Sequence, residues 1–345
     1  MATRIGRYTL RLDTSPSVEC YAAIGAKKEA EGPLAACFDQ LMEDSTLGEQ
    51  TWEKAESRLQ KEIVALALNK GGLSPEEIDC IFAGDLLNQC TSSSYGLRSF
   101  GLPLIGVYGA CSTMAESLGL AGLFVEGGFA RRAMAVTSSH FCSAEKQFRF
   151  PLEYGGQRPP TSQWTVTGAG AAVAGPSGGP PYLRAVTFGR VQDMGIKDAN
   201  NMGAAMAPAA ADTLLRYFDD TRTAPEDYDM IFTGDLGQIG SDLLLQLTAP
   251  RGIDLAGKHT DCGLLIYDRK KQTEVGAGGS GCGCAATVLC GYLLDQLREG
   301  RFQEILFMAT GALMSPTIVQ QGESIPGVAH LLHLSANPWP KEVVS

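Results

Sequence analysis

Residues 79–86 read DCIFAGDL, and a similar stretch, DMIFTGDL, follows at residues 229–236. Each copy is an apolar run that ends in Gly-Asp, a pattern typical of a buried parallel strand followed by a turn. Further downstream, an offset of 173 positions superposes four more features of the sequence: Cys111 on Cys284, Glu126-Gly127 on Glu299-Gly300, Phe129 on Phe302, and Thr137 on Thr310. These coincidences indicate an internal duplication.

Each half has the same order of predicted elements. A strand is followed by a loop, a cysteine, an apolar helix, a Glu-Gly turn and a second strand, which reads ARRAMAVTSS at 130–139 and QEILFMATGA at 303–312. A helix precedes each unit, over 52–71 and around 209–218, and the Gly/Pro-rich stretch GPSGGPP at 175–181 separates the halves. The sequence therefore predicts an α/β protein of two duplicated βαβ halves, residues 1–180 and 181–345.

Composition excludes several classes of protein. The chain has 345 residues, 28 Lys and Arg against 38 Asp and Glu, and a net charge of −10, with no run of Lys or Arg longer than a pair, so a nucleic-acid partner is not expected. The N-terminus lacks a signal-peptide core, which predicts that the ten cysteines are reduced thiols. No apolar run reaches the 18 residues of a membrane span, so any membrane contact is expected to be peripheral.

Several long motifs carry a resemblance to known proteins. A cysteine at the head of a buried central helix, in a duplicated βαβ chain, resembles the thiolase superfamily, and TVTGAGAAVAG at 165–175 resembles the glycine-rich strand of its condensing enzymes. Within that superfamily the chain is similar to the stage V sporulation protein AD family over most of its length. The motifs are SPSVECYAAIGAKKEAEGPLAACFD (15–39), TWEKAE (51–56), SSHFCSAEKQFRFPLEYGGQRPPTSQWTVTGAGA (138–171), KHTDCGLLIYD (258–268), GGSGCGCAA (278–286) and TGALMSPTIVQQGESIPGVAHLL (310–332).

The resemblance implies both a fold and a function. It implies a thiolase-like fold, with the two halves in a five-layered α/β/α/β/α arrangement, and a homodimer, as is usual in that superfamily. It further implies a protein that binds dipicolinic acid, with or without calcium, and supports its uptake into the developing bacterial spore. Small membrane proteins of the same operon are the implied partners, and the spore inner membrane is the implied location.

Cys111 raises the alternative of an acyl-transfer or condensing enzyme. A cysteine at a helix N-terminus is favoured as thiolate, the nucleophilic form. Acyl transfer also needs His or Asn partners, but Thr233-Gly234-Asp235 stands where one His is expected, and GAGGSGCGC (276–284) offers neither residue. An anionic Asp235 beside Cys111 would raise the pKa of the thiol. The favoured interpretation is a binding protein without catalytic residues, cofactor or resident metal, although His259 could approach from its loop.

A binding site for a dicarboxylate should offer helix N-termini, cationic side chains and apolar walls. The helix starts near Cys111 and Cys284 and the basic segment between Ser138 and Trp164 supply such groups. If calcium accompanies the ligand, Asp235 or Asp85 could complete its oxygen shell. The candidate ligand-binding residues are Cys111, His140, Lys146, Arg149, Arg158, Asp235 and Cys284.

Each candidate also has a purely structural interpretation. Cys111 could be a small residue at a tight packing position, and His140 could be a hydrogen-bonded core histidine. Asp85 and Asp235 could cap the turns that follow their strands, and the basic residues could be solvated or lie at a dimer face. A third hypothesis for the whole protein is a structural adaptor that plugs or anchors a channel.

Overall fold

The computed structural model describes residues 2–148, 158–176 and 178–340. Strands in these residues are β1 (Thr3–Ile5), β2 (Thr9–Arg11), β3 (Ser17–Gly25), β4 (Gln40–Leu41), β5 (Cys80–Gly84), β6 (Leu104–Gly106), β7 (Ala133–Ser139), β8 (Trp164–Thr165), β9 (Gly168–Gly175), β10 (Tyr182–Phe188), β11 (Met230–Thr233), β12 (His259–Asp261), β13 (Gly279–Ser280), β14 (Glu304–Ala312) and β15 (Gly327–Ser335).

The same part of the chain forms ten α-helices: α1 (Trp52–Gly71), α2 (Thr91–Leu97), α3 (Thr113–Glu126), α4 (Phe141–Phe148), α5 (Met202–Thr221), α6 (Gly237–Thr248), α7 (Cys262–Ile266), α8 (Cys282–Val288), α9 (Leu294–Arg298) and α10 (Pro316–Gln320). A π turn, Leu289–Leu293, joins α8 to α9 into one longer helix.

The main strands fall into two groups of five with the same order. That order is β6-β5-β7-β9-β3 in the first group and β12-β11-β14-β15-β10 in the second. In each group the first three strands are parallel and the last two pair antiparallel with their neighbours. The groups meet where Tyr182 of β10 pairs with Ser17 of β3. The duplicated α/β architecture predicted from the sequence is confirmed, whereas the boundary near residue 180 stays a prediction.

Helices cover both faces of the strand groups. The helices α3 and α8 contact strands of both groups, whereas α1 packs outside the first group and α5 outside the second. Two glycines let α3 approach the second group closely: a Cβ at Gly119 would lie 2.9 Å from Val186, and one at Gly122 would lie 2.8 Å from Leu183. The arrangement is the expected five-layered α/β/α/β/α fold.

The outer helices confirm the offset of 150 residues. Thr51 and Asn201 accept the first backbone N–H bonds of α1 and α5 through their side chains. Gly72 and Arg222, both in the left-handed region with φ of 63° and 57°, end the same two helices. The helix predicted over 52–71 is therefore confirmed, and Thr51 and Gly72 cap its two ends.

The downstream offset differs from the 173 positions suggested by the sequence. Gly128 and Gly300, with φ of 72° and 71°, follow the two central helices, so the offset there is 172. Ala110 and Gly281, with φ of 50° and 97°, precede the same helices, so the offset there is 171. The π turn accounts for the change, because it holds one more residue than an α-helical turn. The structural counterpart of Cys111 is therefore Cys282, not Cys284.

Candidate functional site

Cys111 lies at the head of α3 in a tight backbone turn. Its neighbour Ala110 has a φ of 50°, a conformation that costs a residue with a Cβ free energy and recurs at functional sites. The Ser112 hydroxyl stabilises the turn by donating to the Gly109 carbonyl at 2.6 Å. Cys111 itself is only 6% exposed, so its thiol faces the protein interior.

A carboxylate, not an imidazole, faces the Cys111 thiol. Asp235 is fully buried in the turn after β11, and its carboxylate lies near enough to the Cys111 thiol to raise the pKa of that thiol. The Asp235 Oδ2 atom accepts the Gly281 N–H at 2.9 Å and the Ser280 hydroxyl at 3.1 Å. Its Oδ1 atom accepts the Thr310 hydroxyl at 2.9 Å. Gly281, Ser280 and Thr310 all belong to the second half of the chain.

The electrostatics of this pair oppose a thiolate. Burial, followed by the charge of Asp235, raises the pKa of the Cys111 thiol well above its ordinary value. Burial also raises the pKa of Asp235 to about 6, although its hydrogen-bond donors act in the opposite direction. The sequence-based expectation that Asp235 raises the pKa of Cys111 is confirmed.

His259 contacts Thr233 at the end of β11. Its Nε2 atom lies 2.9 Å from the Thr233 hydroxyl oxygen, and that hydroxyl donates to Asp261 at 2.6 Å. Burial lowers the pKa of His259 to about 4, so the ring is neutral at physiological pH. The described contacts of His259 therefore connect strands β11 and β12, and none of these contacts supplies Cys111 with a base.

A pseudo-equivalent corner lies in the first half. The Cys282 thiol donates to the Ser138 carbonyl at 2.9 Å, and the Ser138 hydroxyl donates to Glu56 at 3.1 Å. Asp85, at the repeat position of Asp235, accepts the Leu87 N–H at 2.9 Å and the Ser93 N–H at 2.8 Å. The interpretation of Asp85 as a turn cap is confirmed.

Apolar and aromatic groups surround the two cysteines. Leu86, Ala110, Ala144 and both cysteines form one buried cluster, against which the half-buried Phe148 and Leu313 pack. Tyr108 precedes this turn and is 47% exposed, and its partial burial, with nearby Cys111, raises the pKa of the phenol to about 12. Tyr108 thus links the buried cluster to solvent.

The described basic candidates, Lys146 and Arg158, are paired with acidic groups of the protein. Lys146 forms an ion pair with Glu53 of α1, and its side chain is 44% exposed. Arg158 binds Glu145 at 3.3 Å and the Gln163 carbonyl, and its guanidinium lies 5.4 Å from the Trp164 ring centre. The Gln163 amide in turn donates to the Asp235 carbonyl at 2.6 Å, which connects Arg158 to the Asp235 turn. Arg149 lies outside the described residues.

Two further candidates are engaged with protein groups. His140 is fully buried, its Nε2 atom lies 2.7 Å from the Ser45 carbonyl, and its Nδ1 atom accepts the Cys142 N–H at 3.2 Å. These contacts match the structural interpretation of His140. The buried Cys284 thiol points to the Gly234 carbonyl at 3.5 Å, one residue from Asp235. A ligand-binding role for either residue stays a prediction.

Five site residues were not identified from the sequence. The signals for Cys282, Ser280 and Gly281 were present in GGSGCGC, but the offset of 173 assigned Cys284 instead. Tyr108 adjoins Cys111 in the chain, and Thr310 was noted only as part of the repeat.

In the described ranges, no group of three or more Cys, His, Asp and Glu side chains could hold a metal ion. Within the same ranges, no helix combines the length and apolarity of a membrane span.

This fold, with a cysteine at the head of its central helix, defines a thiolase-like protein. The chain superposes on 3-oxoacyl-[acyl-carrier-protein] synthase III from Aquifex aeolicus with a TM-score of 0.58 and 13% identity, covering 93% of this chain and 99% of that one. Cerulenin-bound OleA from Xanthomonas campestris gives a TM-score of 0.60 and 14% identity, covering 93% and 97%. At these identities the likeness establishes the fold alone.

Sequence comparison gives a narrower class. Residues 6–335 match the family model of stage V sporulation protein AD. The chain is 46% identical over 303 residues to stage V sporulation protein AD of Bacillus subtilis (strain 168), covering 88% of this chain and 89% of that protein. The chain therefore belongs to the stage V sporulation protein AD family, a family of sporulation proteins with a thiolase-like fold.

Proposed function

We propose that this protein binds dipicolinic acid in the cleft at Cys111 without catalysing a reaction, and that it supports uptake of the acid into the developing spore. One observation carries the proposal: a buried carboxylate, Asp235, stands beside Cys111 where acyl transfer would need a base. The fold is that of a condensing enzyme, but the Cys111 thiol is held in the protonated, unreactive form.

The hydrogen-bond donors near the thiol argue against acyl transfer as well. Such a reaction needs free N–H or O–H groups to stabilise the negative oxygen of its intermediate. The Gly281 N–H and the Ser280 hydroxyl have the required chemistry, but both donate to Asp235 Oδ2, at 2.9 and 3.1 Å. The carboxylate of the protein thus occupies the donors that a substrate oxygen would use.

An acidic cleft favours the calcium chelate over the free dianion. Ionised Asp235 would repel the two carboxylates of dipicolinate, whereas a bound calcium ion would present positive charge to it. The half-exposed ring of Tyr108 and the apolar side chain of Phe148 are suited to contact a flat pyridine ring. We therefore propose Asp235 as the residue that faces the cation and these two side chains as the walls.

Isothermal titration calorimetry tests this binding. Dipicolinate is titrated into the purified protein in excess calcium and, separately, in EDTA, with benzoate as the ligand that lacks the second carboxylate. We expect binding in calcium, weaker binding in EDTA, and a loss of the calcium preference in Asp235→Asn. Absence of dipicolinate binding under both conditions would reject the proposal.

The enzyme hypothesis has its own measurement. Intact-mass spectrometry after incubation with acyl-CoAs of several chain lengths would detect an acyl adduct, and Cys111→Ala is the control that should abolish it. We expect no adduct at any chain length, because burial and the charge of Asp235 both disfavour the Cys111 thiolate that would attack the thioester. An adduct on Cys111 that turns over would establish the acyl-transfer alternative.

We further propose peripheral attachment at the spore inner membrane, with small membrane proteins of the same operon as partners. This part of the proposal rests on family membership. A spore whose protein carries a substitution that abolishes dipicolinate binding should retain the protein at the membrane but lose uptake of the acid. Wild-type uptake in that strain would favour a purely structural adaptor instead.

Homodimer formation is proposed through the free edge of β6. In the described residues β6 pairs with β5 on one side only, and Leu104 and Tyr108 beside that edge are 39% and 47% exposed. A strand edge of this kind pairs readily with a second copy. Sedimentation of the wild type and of a Leu104→Lys variant tests it: we expect a dimer that the lysine dissociates, and a monomeric wild type would contradict the proposal.

A further inference from the structure

Asp261, at the end of β12, organises the turn that carries Asp235. It is fully buried, and four donors converge on its carboxylate. Oδ2 accepts the Thr233 hydroxyl at 2.6 Å and the Leu236 N–H at 2.8 Å, and Oδ1 accepts the Gly237 and Gly263 N–H groups, both at 3.0 Å. The turn after β11 is thus capped by a side chain from the neighbouring strand.

The described residues of the first half contain no equivalent of this cap. In the second half Thr233 pairs with Asp261, and in the first half its repeat equivalent, Ala83, pairs with Gly106. Glycine has no side chain to contribute, and the turn after β5 is capped by Asp85 itself through the Leu87 and Ser93 N–H groups. In the first half, therefore, the carboxylate of Asp85 accepts N–H groups of the turn that follows its own strand.

The second half divides these two tasks between two aspartates. Because Asp261 takes the N–H groups of Leu236 and Gly237, Asp235 has no turn to cap. Its carboxylate is available for Ser280, Gly281 and Thr310. Thr310 adjoins Gly311, which packs against the turn that holds Cys111: a Cβ at Gly311 would lie 2.2 Å from the Gly109 carbonyl oxygen. The difference between Gly106 and Asp261 thereby decides which way the repeated aspartate points.

We infer that Asp261 is a positioning residue that directs Asp235 toward Cys111. The positioning follows from the hydrogen bonds alone and holds with any ligand or none. Its consequence for dipicolinate affinity rests on the proposed function. The two statements therefore need separate measurements on the same variants.

The direct test is the pH profile of Cys111 alkylation. Asp261→Asn keeps the size of the side chain, but its amide has a single acceptor oxygen and cannot accept four donors. We expect Asp235 to turn back to the freed N–H groups of Leu236 and Gly237, so that Cys111 loses its neighbouring carboxylate. Iodoacetamide labelling of Cys111, quantified by peptide mass spectrometry, should then shift to lower pH, with about a tenfold rise in rate for each pKa unit.

Two matched variants separate positioning from mere stability. Asp85→Asn weakens the equivalent turn of the first half and should leave the Cys111 profile unchanged. Asp235→Asn should reproduce the shift, and adding Asp261→Asn to it should produce no further shift. If Asp261→Asn folds poorly, Asp261→Glu retains the charge, displaces the carboxylate by one methylene, and should shift the profile in the same direction by less.

Two results would decide against the inference. An unchanged Cys111 profile in folded Asp261→Asn and Asp261→Glu would show that Asp261 is only a structural cap. An equal shift in Asp85→Asn would show that the effect is general loosening of the protein. Calorimetry with calcium and dipicolinate on the same samples distinguishes the ligand proposal: a shifted profile without wild-type binding would reject the ligand and retain the positioning role.

Discussion

The turns after β5 and β11 have nearly the same sequence, Gly-Asp-Leu, but they use their aspartates differently. Asp85 accepts N–H groups of its own turn, whereas Asp235 accepts donors from β13, β14 and the head of α8. Duplication alone would give both halves the same contacts. The comparison shows that a neighbouring residue, Gly106 or Asp261, can reassign a repeated side chain without altering the strand order around it.

The two buried cysteines differ in the same way. Cys111 faces the Asp235 carboxylate, while Cys282 donates to the Ser138 carbonyl near Glu56 and Asp85. Burial raises the pKa of Glu56 well above its ordinary value, and the nearby Asp85 adds to that effect. Both halves thus contain buried acids with structural roles, and in the second half a further acid, Asp235, lies near Cys111.

Removal of the two caps should produce the largest effects. Asp261→Ala removes the acceptor of four buried donors and Asp85→Ala that of three, at about 1 kcal/mol for each lost hydrogen bond. We expect losses in the free energy of unfolding of roughly 4 and roughly 3 kcal/mol in urea denaturation. A larger loss for Asp85→Ala would contradict the assignment of Asp261 as the more extensively bonded cap.

The pH dependence of stability should separate Asp235 from ordinary surface acids. Burial raises its pKa to about 6, above the ordinary value of 3.8, so the stability that its proton provides is complete below pH 3.8 and is lost as the pH rises through 6. In the wild type, the free energy of unfolding should therefore fall between pH 5 and pH 7. Asp235→Asn should make that fall smaller by about 1 kcal/mol, as measured by urea denaturation at the two pH values.

Asp193→Asn is the control for that measurement. Hydrogen bonds from Ser324 and the Gly195 N–H lower the pKa of this exposed carboxylate, so it titrates well below pH 5. The control should leave the difference between pH 5 and pH 7 unchanged. Equal pH profiles for wild type and Asp235→Asn would argue against a raised pKa in the cleft.

The smallest expected effects on stability come from a matched pair of substitutions at the C-terminal ends of α1 and α5. Gly72 and Arg222 occupy equivalent left-handed positions after α1 and α5. Arg222→Gly should stabilise the protein, and Gly72→Ala, which places a Cβ in open space, should destabilise it, each by about 1 kcal/mol. Thermal unfolding checks both. A destabilising Arg222→Gly would show that the arginine side chain makes a contact that outweighs its backbone strain.

Much of the fold could be predicted from the sequence because it depends on local patterns. The repeated apolar strands, the helix that ends at Gly71-Gly72 and the cysteine before a buried helix follow from composition and spacing. The unfavourable effect of Asp235 on a Cys111 thiolate was predictable from charge alone. Family motifs supplied the layer arrangement, which periodicity does not determine.

The errors arose where a local backbone irregularity changed the spacing. An offset of 173 pairs Cys111 with Cys284, two positions beyond Cys282. One position comes from matching Gly127, not Gly128, to Gly300, and the other from the π turn at Leu289–Leu293, which no feature of the sequence marks. The role of Asp261 was not identified for a different reason: its four donors are brought together by strand pairing between distant segments. Likewise, ion pairs such as Lys146 with Glu53 depend on how α1 and α4 pack.

The close approach of α3 to β10 bears on how the chain folds during synthesis. The face of α3 that carries Gly119 and Gly122 packs against Val186 and Leu183, which leave the ribosome later than the helix. Until they arrive, that face has no native partner, and transiently exposed apolar surface promotes aggregation. Folding of the first half is therefore coupled to translation of the second, so a pause between them would prolong the period in which the nascent chain needs a chaperone.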